Sequence, residues 1–533
     1  MLQQAIVTAP RAEELVAPAR HENGASRTGD GPEIQTTARP MADVTGDALA
    51  ALAAANDPPE LYVRSGTLAR VRRDERGRPL VEVVGEAALR GRMARVAAFV
   101  RRAKGGESYP TPPPRETVAD LLALGGWPFP PLVGVTEAPT LRPDGTVHDA
   151  PGYDAATGAV YMPPDGLEVP AVSAAPTATE RAEARALLEE AIADFPFADP
   201  ASRANALGLM LTPILRPAIA GPVPLALLDA PRAGTGKGLL ASVVAIIATG
   251  RPAAALPAPH REEEWAKVIL AQLLAGRSFV LLDEVDELRS GALAAVLTAP
   301  EYEDRVLGRS EVVRLPVRVT WAAAGNNLSV SGDLPRRCYW VRLDAEVAQP
   351  WRRTGFRHPD LTGWATERRG DLLAALLTLS RAWYAAGRPA ASSVPVLGSF
   401  GDWSRTVGGV LELAGVEGFL GNLEAFWDRA DEDAAAWEAF LTAWHARFGS
   451  EPVPAGAVAD LLLGEGADRE FRDTLPDDLV AALDKSDASF RATLGRALGK
   501  RERTRYGERN LRVVRAAKVA RGGAAFWEVL ADA

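Results

Sequence analysis

Residues 222–240, PVPLALLDAPRAGTGKGLL, constrain the fold more than any other stretch of the chain. They begin with a nearly continuous apolar run at residues 224–228, which is typical of a strand buried on both faces of a parallel sheet. A glycine-containing loop follows at residues 231–236, and residues 238–249 have the apolar face of a helix. Backbone N–H groups and the positive end of a helix dipole then converge beside Lys237, so this stretch predicts a phosphate-binding site.

The loop departs in two places from the P-loop consensus GxxxxGK[ST]. Pro231 stands where the consensus has its first glycine, and Gly238 replaces the hydroxyl residue that ligands magnesium. An ordinary strand-to-helix turn could also contain the sequence GTGK, so the downstream sequence has to distinguish the two interpretations. The loop residues that we predict to bind a nucleotide are Gly234, Thr235, Gly236, Lys237 and Gly238.

A second apolar strand, residues 279–282, ends in the adjacent carboxylates Asp283 and Glu284. The interval from Lys237 leaves room for a helix, a strand and another helix, as in a parallel α/β sheet. Ligands bind beyond the carboxyl ends of such strands, so the two carboxylates are expected near the glycine loop. Asp283 is then placed to hold magnesium and Glu284 to polarise an attacking water. A strand that happens to end in a polar turn is the alternative for this segment alone.

A third strand, residues 317–325, ends at Asn326, whose amide could sense a γ-phosphate or orient the water. The preceding residues 303–316 predict a hairpin. Arg336 and Arg337 come just before a further strand. They could be solvated cations, or they could act as an arginine finger in the nucleotide site of a neighbouring subunit.

The run from the strand before Lys237 to Arg337 resembles the core of an AAA+ ATPase, an α/β fold with a parallel sheet and flanking helices. The resemblance covers about residues 177–344. The hairpin and the following phrase AAAGNNL resemble the superfamily 3 and primase-associated helicases of phages and plasmids. This resemblance implies that Lys237 binds the β- and γ-phosphates of ATP, that Asp283 holds Mg²⁺ and that Glu284 is the catalytic carboxylate.

The same resemblance implies that Asn326 is a sensor residue and that Arg336 or Arg337 is a finger acting in trans. A residue that acts in trans needs a neighbouring subunit. We therefore expect several copies of the chain to assemble as a ring, most simply a hexamer. Arg309, at the tip of the hairpin, would contact DNA in a central pore. Gly238 departs from the family pattern and leaves the strength of Mg²⁺ binding and the rate of turnover open.

The C-terminal segment predicts three helices followed by a β-hairpin, which is the order of elements in a winged helix. Its last helix and the hairpin are rich in arginine and lysine, although the whole chain has a net charge of −9. A basic face in an acidic protein favours binding to DNA phosphates, and a solvated basic surface is the alternative. The residues that we predict to contact DNA here are Arg496, Lys500, Arg501, Arg503 and Arg505.

Pattern changes along the 533 residues predict six segments. The residues at the start of the chain have no periodicity, which predicts a disordered leader. Further along, Thr177 and Glu180 have the spacing of a capping box at the start of a helix. The predicted segments are the leader (1–45), an α+β domain (46–176), a helical lead-in (177–222), the ATPase core (223–345), a helical region with tryptophans in its core (346–450) and a winged-helix-like domain (451–533).

The single cysteine, Cys338, excludes a disulfide framework and a CxxC zinc module within this chain. No apolar run reaches membrane-spanning length and no secretory signal is recognisable, so we expect a cytoplasmic protein.

Together these features predict an ATP- and Mg²⁺-dependent DNA helicase or translocase that acts as a ring on single-stranded or forked DNA during replication of a phage or other mobile element. The N-terminal region has no recognisable primase carboxylates, so priming would come from a separate primase. One alternative is an AAA+ switch or loader that binds ATP and DNA without unwinding. Another is a structural DNA-binding protein with a relic P-loop.

Overall fold

The computed structural model describes most of the chain, namely residues 31–305, 312–463, 468–507, 509–519 and 525–531. The described chain divides into two compact units. The smaller unit comprises residues 31–70 and 83–129, and the larger unit comprises residues 71–82 and 130–533.

The first part of the chain alternates short strands with three helices. Its elements are β1 (Glu33–Gln35), α1 (Met41–Ala54), β2 (Tyr62–Arg64), β3 (Thr67–Arg73), β4 (Pro79–Val83), α2 (Glu86–Val96), β5 (Ala98–Arg102), β6 (Ser108–Pro110) and α3 (Arg115–Ala123). Strand β5 pairs with β1 in parallel and with β6 in antiparallel orientation. The three helices and Phe99 of β5 enclose the core of the smaller unit.

Strand β1 and the start of α1 lie within residues 31–45, where the sequence analysis expected a disordered leader. Ile34 is 1% exposed and Val44 is 3% exposed, so both belong to the core of the smaller unit. Strand β1 is held by β5, some sixty positions further along the chain, and such a distant partner leaves no local pattern. Residues 1–30 lie outside the described residues.

The larger unit begins with short strands and two helices, β7 (Gly134–Thr136), β8 (Thr140–Leu141), β9 (Val147–His148), β10 (Gly152–Asp154), β11 (Ala159–Tyr161), α4 (Ala178–Ala191) and α5 (Pro200–Leu215). Residues 130–176 belong to this unit, whereas the sequence analysis placed them in an N-terminal domain. Glu137 anchors them, because its carboxylate pairs with Arg251 at 2.5 Å and its carbonyl accepts from Arg369 at 2.9 Å. The capping box of Thr177 and Glu180 at the start of α4 is confirmed.

The centre of the larger unit is a sheet of five parallel strands in the order β13-β14-β18-β12-β20. The elements of this region are β12 (Leu225–Ala230), α6 (Lys237–Thr249), β13 (Ala255–Pro257), α7 (Glu262–Leu274), β14 (Phe279–Asp283), β15 (Glu287–Leu288), α8 (Gly291–Thr298), β16 (Glu301–Arg305), β17 (Val312–Pro316), β18 (Thr320–Asn326), β19 (Ser329–Val330) and β20 (Cys338–Arg342).

Alternate residues of β12 face two separate cores, as expected for a strand buried on both faces. Ala226 and Leu228 pack in the cluster that includes α6, while Leu225 and Leu227 pack in the cluster that includes α7 and α8. The predicted α/β fold with a parallel sheet is therefore confirmed at this level.

The rest of the chain is mainly helical, with α9 (Leu361–Glu367), α10 (Arg369–Ala385), α11 (Gly401–Leu413), α12 (Leu423–Phe448), β21 (Val453–Pro454), α13 (Ala455–Leu462), α14 (Arg469–Arg472), α15 (Asp477–Lys485), α16 (Asp487–Lys500), β22 (Arg512–Val519) and β23 (Ala525–Leu530). Trp403, Trp437 and Trp444 are fully buried, as their apolar neighbours predicted. Strand β23 pairs in antiparallel orientation with both β21 and β22. Within the described residues, no helix has the length and hydropathy needed to cross a lipid bilayer.

Candidate nucleotide site

The glycine loop, residues 231–236, connects the carboxyl end of β12 to the amino end of α6. Gly234 has φ of +76° and Gly236 has φ of +106°, values that favour glycine. A Cβ atom on Gly234 would lie 3.0 Å from Cβ of Trp351, and one on Gly236 would lie 3.1 Å from Cε1 of Phe195. Backbone conformation and close packing therefore both favour glycine at these two positions.

Helix α6 begins at Lys237 with Gly236 as its N-cap, and no side chain caps its first turn. The N–H groups at the amino end of a helix need acceptors, and the helix dipole makes an anion the favoured one. At Gly238 an added Cβ atom would have no neighbouring heavy atom within 4 Å. This end of α6 is therefore open, and its geometry suits a phosphate group.

Lys237 lies close to the end of the neighbouring strand β18. Its Nζ atom donates to Oδ1 of Asn326 at 2.7 Å and lies 3.5 Å from the hydroxyl of Thr235. Burial lowers the pKa of the Lys237 ammonium below its ordinary value, and the carboxylates of Asp229 and Asp283 oppose this effect. The structure thus brings together three of the predicted site residues from the loop and from β18.

The two predicted carboxylates lie at the end of β14. Asp283 is its last residue, and Glu284 follows with φ of +55°, in the left-handed region that non-glycine residues seldom adopt. The N–H of Glu284 donates to Oδ1 of Asp283 at 2.9 Å, and the next N–H, of Val285, donates to the carbonyl of Ala324 at 2.9 Å. These bonds hold a strained backbone that leaves the Glu284 side chain exposed, and strain of this kind often marks functional sites.

Asp229, the next-to-last residue of β12, was missed by sequence reasoning. It is 1% exposed and accepts from the Leu328 N–H at 2.9 Å and from Nε1 of Trp340 at 3.3 Å, while the guanidinium of Arg429 lies 3.4 Å away. These contacts tie the segment after β18 to β12 and so position Asn326 beside Lys237. The available signal was a carboxylate near the end of an otherwise apolar strand.

Arg336 and Arg337 lie in a 3-10 turn, Pro335–Arg337, directly before β20. Because β20 is parallel to β12, this turn is at the amino edge of the sheet, whereas the glycine loop is at the carboxyl edge. A strand of this length spans roughly 17 Å at about 3.3 Å per residue. Arg336 is exposed and pairs with Asp333 at 2.8 Å. The structure therefore does not bring the two arginines to the glycine loop of their own chain.

The predicted DNA-binding residues of the C-terminal part have different environments. Arg496, Lys500, Arg503 and Arg505 are exposed. Arg501 is instead buried, with 7% exposure, because its guanidinium stacks over the ring of Trp437 at 4.1 Å and lies 3.6 Å from a carboxylate. This packing gives Arg501 a structural role and makes it unsuitable as the surface cation that the sequence analysis expected.

Arg309 lies outside the described residues. The strands on either side of it, β16 and β17, pair in antiparallel orientation from Glu301 opposite Pro316 to Arg305 opposite Val312. The described part of this segment is therefore an antiparallel strand pair, which agrees with the predicted hairpin, whereas the role of Arg309 stays a prediction.

Trp351, in the 3-10 turn Pro350–Arg352, is a second residue that sequence reasoning missed. This residue is 62% exposed although it packs directly against Gly234. An exposed indole beside the glycine loop offers a flat apolar face on which a nucleotide base can stack. No local sequence pattern indicates this proximity, since the turn is far from the loop along the chain.

The fold and site define a mixed α/β protein whose parallel sheet carries a candidate nucleotide site at its carboxyl edge. No protein-family model and no curated protein matches the chain. Among solved structures, the A-form apo structure of the NrS-1 C-terminal region shows 12% identity and a TM-score of 0.38, covering 90% of this chain and 98% of that chain.

A second apo structure of the same NrS-1 region has 12% identity and a TM-score of 0.33, with 87% of this chain and 96% of that chain covered. The structure described as SCCmec type IV Cch, an active helicase, has 10% identity and a TM-score of 0.29, with 89% of this chain and 97% of that chain covered. TM-scores below 0.5 do not establish a common fold, so the function has to be inferred from the chemistry of the site.

Proposed function

We propose that this chain is an AAA+ ATPase that assembles as a ring and uses ATP hydrolysis to move along or unwind DNA, as a helicase or translocase of a phage or other mobile element. The observation that carries the proposal is the convergence of Lys237, Asn326 and the Asp283–Glu284 pair at one edge of a parallel sheet. These residues follow three different strands, and each has a distinct use in phosphoryl transfer.

The strand order supports an AAA+ core. Strand β18, which ends at Asn326, lies between β12, which leads into the glycine loop, and β14, which ends at Asp283. A polar amide at the tip of this middle strand is therefore next to both the phosphate-binding loop and the acidic pair. This is the position that a γ-phosphate sensor requires.

The residues of the site fit a nucleoside triphosphate with its magnesium ion. The loop N–H groups, the uncapped amino end of α6 and Lys237 would bind the β- and γ-phosphates, and Asp283 would hold Mg²⁺. A bound magnesium ion neutralises charge on the transferring phosphoryl group. Because Gly238 has no side-chain hydroxyl, the protein supplies one ligand fewer here than a P-loop with serine or threonine does.

Two protein side chains have to change partners when phosphate binds. Lys237, now donating to Asn326, would turn its ammonium to the phosphate oxygens, and the amide of Asn326 would then be free to contact the γ-phosphate or the attacking water. Glu284, exposed at the same edge, would accept a hydrogen bond from that water and orient it. Asp229 would keep the segment after β18 in place throughout.

A ring is supported by the position of Arg336 and Arg337. They lie at the amino edge of the sheet, away from the nucleotide site of their own chain, so a role in hydrolysis requires a neighbouring subunit. A closed ring, which we propose to be a hexamer, gives every site such a neighbour. The exposed cations of the C-terminal region, Arg496, Lys500 and others, are the proposed DNA contacts.

The test is ATP hydrolysis by the purified protein with and without single-stranded DNA. Lys237→Ala and Glu284→Gln should each reduce turnover by roughly 100-fold or more, as loss of a group that stabilises the transition state does. Lys267→Ala and Glu263→Gln, which change exposed residues of α7, are matched controls and should retain the activity. Glu284→Gln should still bind ATP, because the carboxylate acts on water rather than on the phosphates.

One observation favours a second function, an ATP-binding switch or loader that binds DNA without unwinding it. Gly238 leaves the magnesium ion with fewer protein ligands, which favours slow hydrolysis. If the wild-type protein binds ATP and DNA but shows neither ATP turnover nor strand displacement, the helicase function is wrong and the switch function is supported. Protein that binds no ATP at all would contradict both functions.

A further inference from the structure

The hairpin of β5 and β6, in the smaller unit, presents a continuous exposed segment at residues 101–110. Its tip is a defined turn, because the Ala103 N–H donates to the Glu107 carbonyl and the Gly106 N–H donates to the Ala103 carbonyl, both at 2.9 Å. Gly106 supplies the φ of +88° that this turn needs. The base of the hairpin is anchored by Phe99, which is 3% exposed. The hairpin is therefore a preorganised surface element.

Three cations of this hairpin have no carboxylate partner within the described residues. They are Arg101 and Arg102 on β5 and Lys104 in the turn, and all three are exposed. Arg39 and Arg92 of the same unit, in contrast, each lie within 2.7 Å of a carboxylate oxygen. Three like charges on one short hairpin repel each other, so an anionic partner would lower their electrostatic energy.

An exposed aromatic ring lies on the same face of the hairpin as Arg101. Tyr109 is 45% exposed and stands directly opposite Arg101 in the strand register, and cross-strand partners share a face of the sheet. Its hydroxyl donates to the carboxylate of Glu107, which fixes the orientation of the ring. Glu107 is the one acidic residue in the sequence of this hairpin, and its carboxylate is already engaged by the tyrosine.

We propose that this hairpin is a second nucleic-acid site, in which Arg101 and Lys104 bind the phosphates of a single strand and Tyr109 stacks on one of its bases. Cations that follow a backbone beside an exposed aromatic ring are the chemistry by which proteins bind single strands without sequence preference. A single strand is favoured over a duplex, because an unpaired base can leave its stack and meet the tyrosine ring. The hairpin belongs to a different unit from the nucleotide site, so this site does not require ATP hydrolysis.

Binding to the full chain without nucleotide tests the proposal. The probes are fluorescein-labelled oligo(dT) and oligo(rU) of about 16 nucleotides, an equivalent duplex, and a polyglutamate peptide. Arg101→Glu with Lys104→Glu should raise the Kd for the single strands about tenfold or more and lower the slope of log Kd against log salt by about 1.4, as expected for two lost phosphate contacts. Tyr109→Ala should raise the Kd for single strands about tenfold and leave the Kd for the duplex unchanged.

A matched control is Lys267→Glu with Arg405→Glu, which changes the net charge equally at exposed positions of α7 and α11 and should leave both Kd values unchanged. Ultraviolet crosslinking of a thiouridine-containing strand, followed by peptide mapping, should place crosslinks within residues 98–110 even where C-terminal cations also bind. Preference for oligo(dT) or oligo(rU) would identify the strand as DNA or RNA. Equal weakening of polyglutamate binding, an unchanged affinity of the Tyr109 variant for single strands, or an absence of crosslinks in this segment would each overturn the proposal.

Discussion

Replacing Gly238 with serine should supply the hydroxyl that the P-loop consensus has directly after its lysine, without disturbing the fold. Gly238 is the second residue of α6, and a Cβ atom at this position meets no heavy atom within 4 Å. Its φ angle is not among the positive values of the chain. Serine therefore needs neither additional space nor a different backbone conformation.

The substitution should change two quantities, the free energy of unfolding and the Mg²⁺ concentration that hydrolysis requires. Glycine costs about 1 kcal/mol relative to alanine inside a helix and serine about half of that, so the free energy of unfolding should rise by about 0.5 kcal/mol or less. A new polar contact to a charged group contributes about 1.5–3 kcal/mol. Since about 1.4 kcal/mol corresponds to a factor of ten, the Mg²⁺ concentration for half-maximal ATP hydrolysis should fall about tenfold or more.

Magnesium titrations of ATP hydrolysis and of ATP binding, made beside thermal denaturation, separate these effects. Gly238→Ala is the control, because alanine gains helix propensity but brings no oxygen. Both variants should be at least as stable as the wild type, and serine alone should shift the Mg²⁺ titration. Equal titrations for serine, alanine and glycine would refute the placement of the metal at the amino end of α6.

Asp229→Ala should lower the free energy of unfolding by about 3 kcal/mol in urea denaturation, because a buried acceptor of several donors is lost. Cys338 is fully buried and burial raises the pKa of its thiol, so a disulfide reagent in enough excess to react faster than the chain refolds should modify it at the rate of unfolding, with no increase between about pH 7 and pH 9. Mixing inactive Lys237→Ala and Arg337→Ala subunits should restore up to about a quarter of the ATPase activity if the finger acts in trans, as random assembly of a ring predicts. Asp286→Asn should raise ATP hydrolysis measured without DNA, since it weakens the contact with Lys500, and unchanged basal turnover would contradict that coupling.

The candidate site could be predicted because its main residues lie at or shortly after the carboxyl ends of apolar strands. Lys237, Glu284 and Asn326 lie beyond runs whose burial is a local sequence property, and a parallel sheet brings the carboxyl ends of its strands to one edge. Sequence order alone therefore implied proximity. Local patterns were sufficient for residues at strand ends, because a parallel sheet places the carboxyl ends of its strands side by side.

Sequence reasoning did not predict the environments of Asp229, Trp351 and Arg501. These environments are formed by residues distant along the chain, which no local pattern indicates. Asp229 is buried because the Trp340 indole and the segment after β18 donate to it. Arg501 belongs to a basic run, but Trp437 of α12 supplies the ring that buries it. A count of charges along the sequence cannot distinguish a guanidinium that packs in a core from one that remains available to DNA.

Two neighbouring cations of the C-terminal region, Lys500 and Arg501, are held with different strength, which suits a coupling between the proposed DNA binding and ATP hydrolysis. Lys500 lies 3.8 Å from Asp286, two residues after Glu284, and both side chains are largely exposed. An exposed ion pair of this kind contributes about 0–1 kcal/mol, so a DNA phosphate can replace the carboxylate at little cost. The stacked and buried guanidinium of Arg501 meanwhile keeps α16 packed on α12. DNA binding at Lys500, as proposed, would thus free the carboxylate of Asp286, two residues after the proposed catalytic residue Glu284, while the C-terminal region itself stays folded.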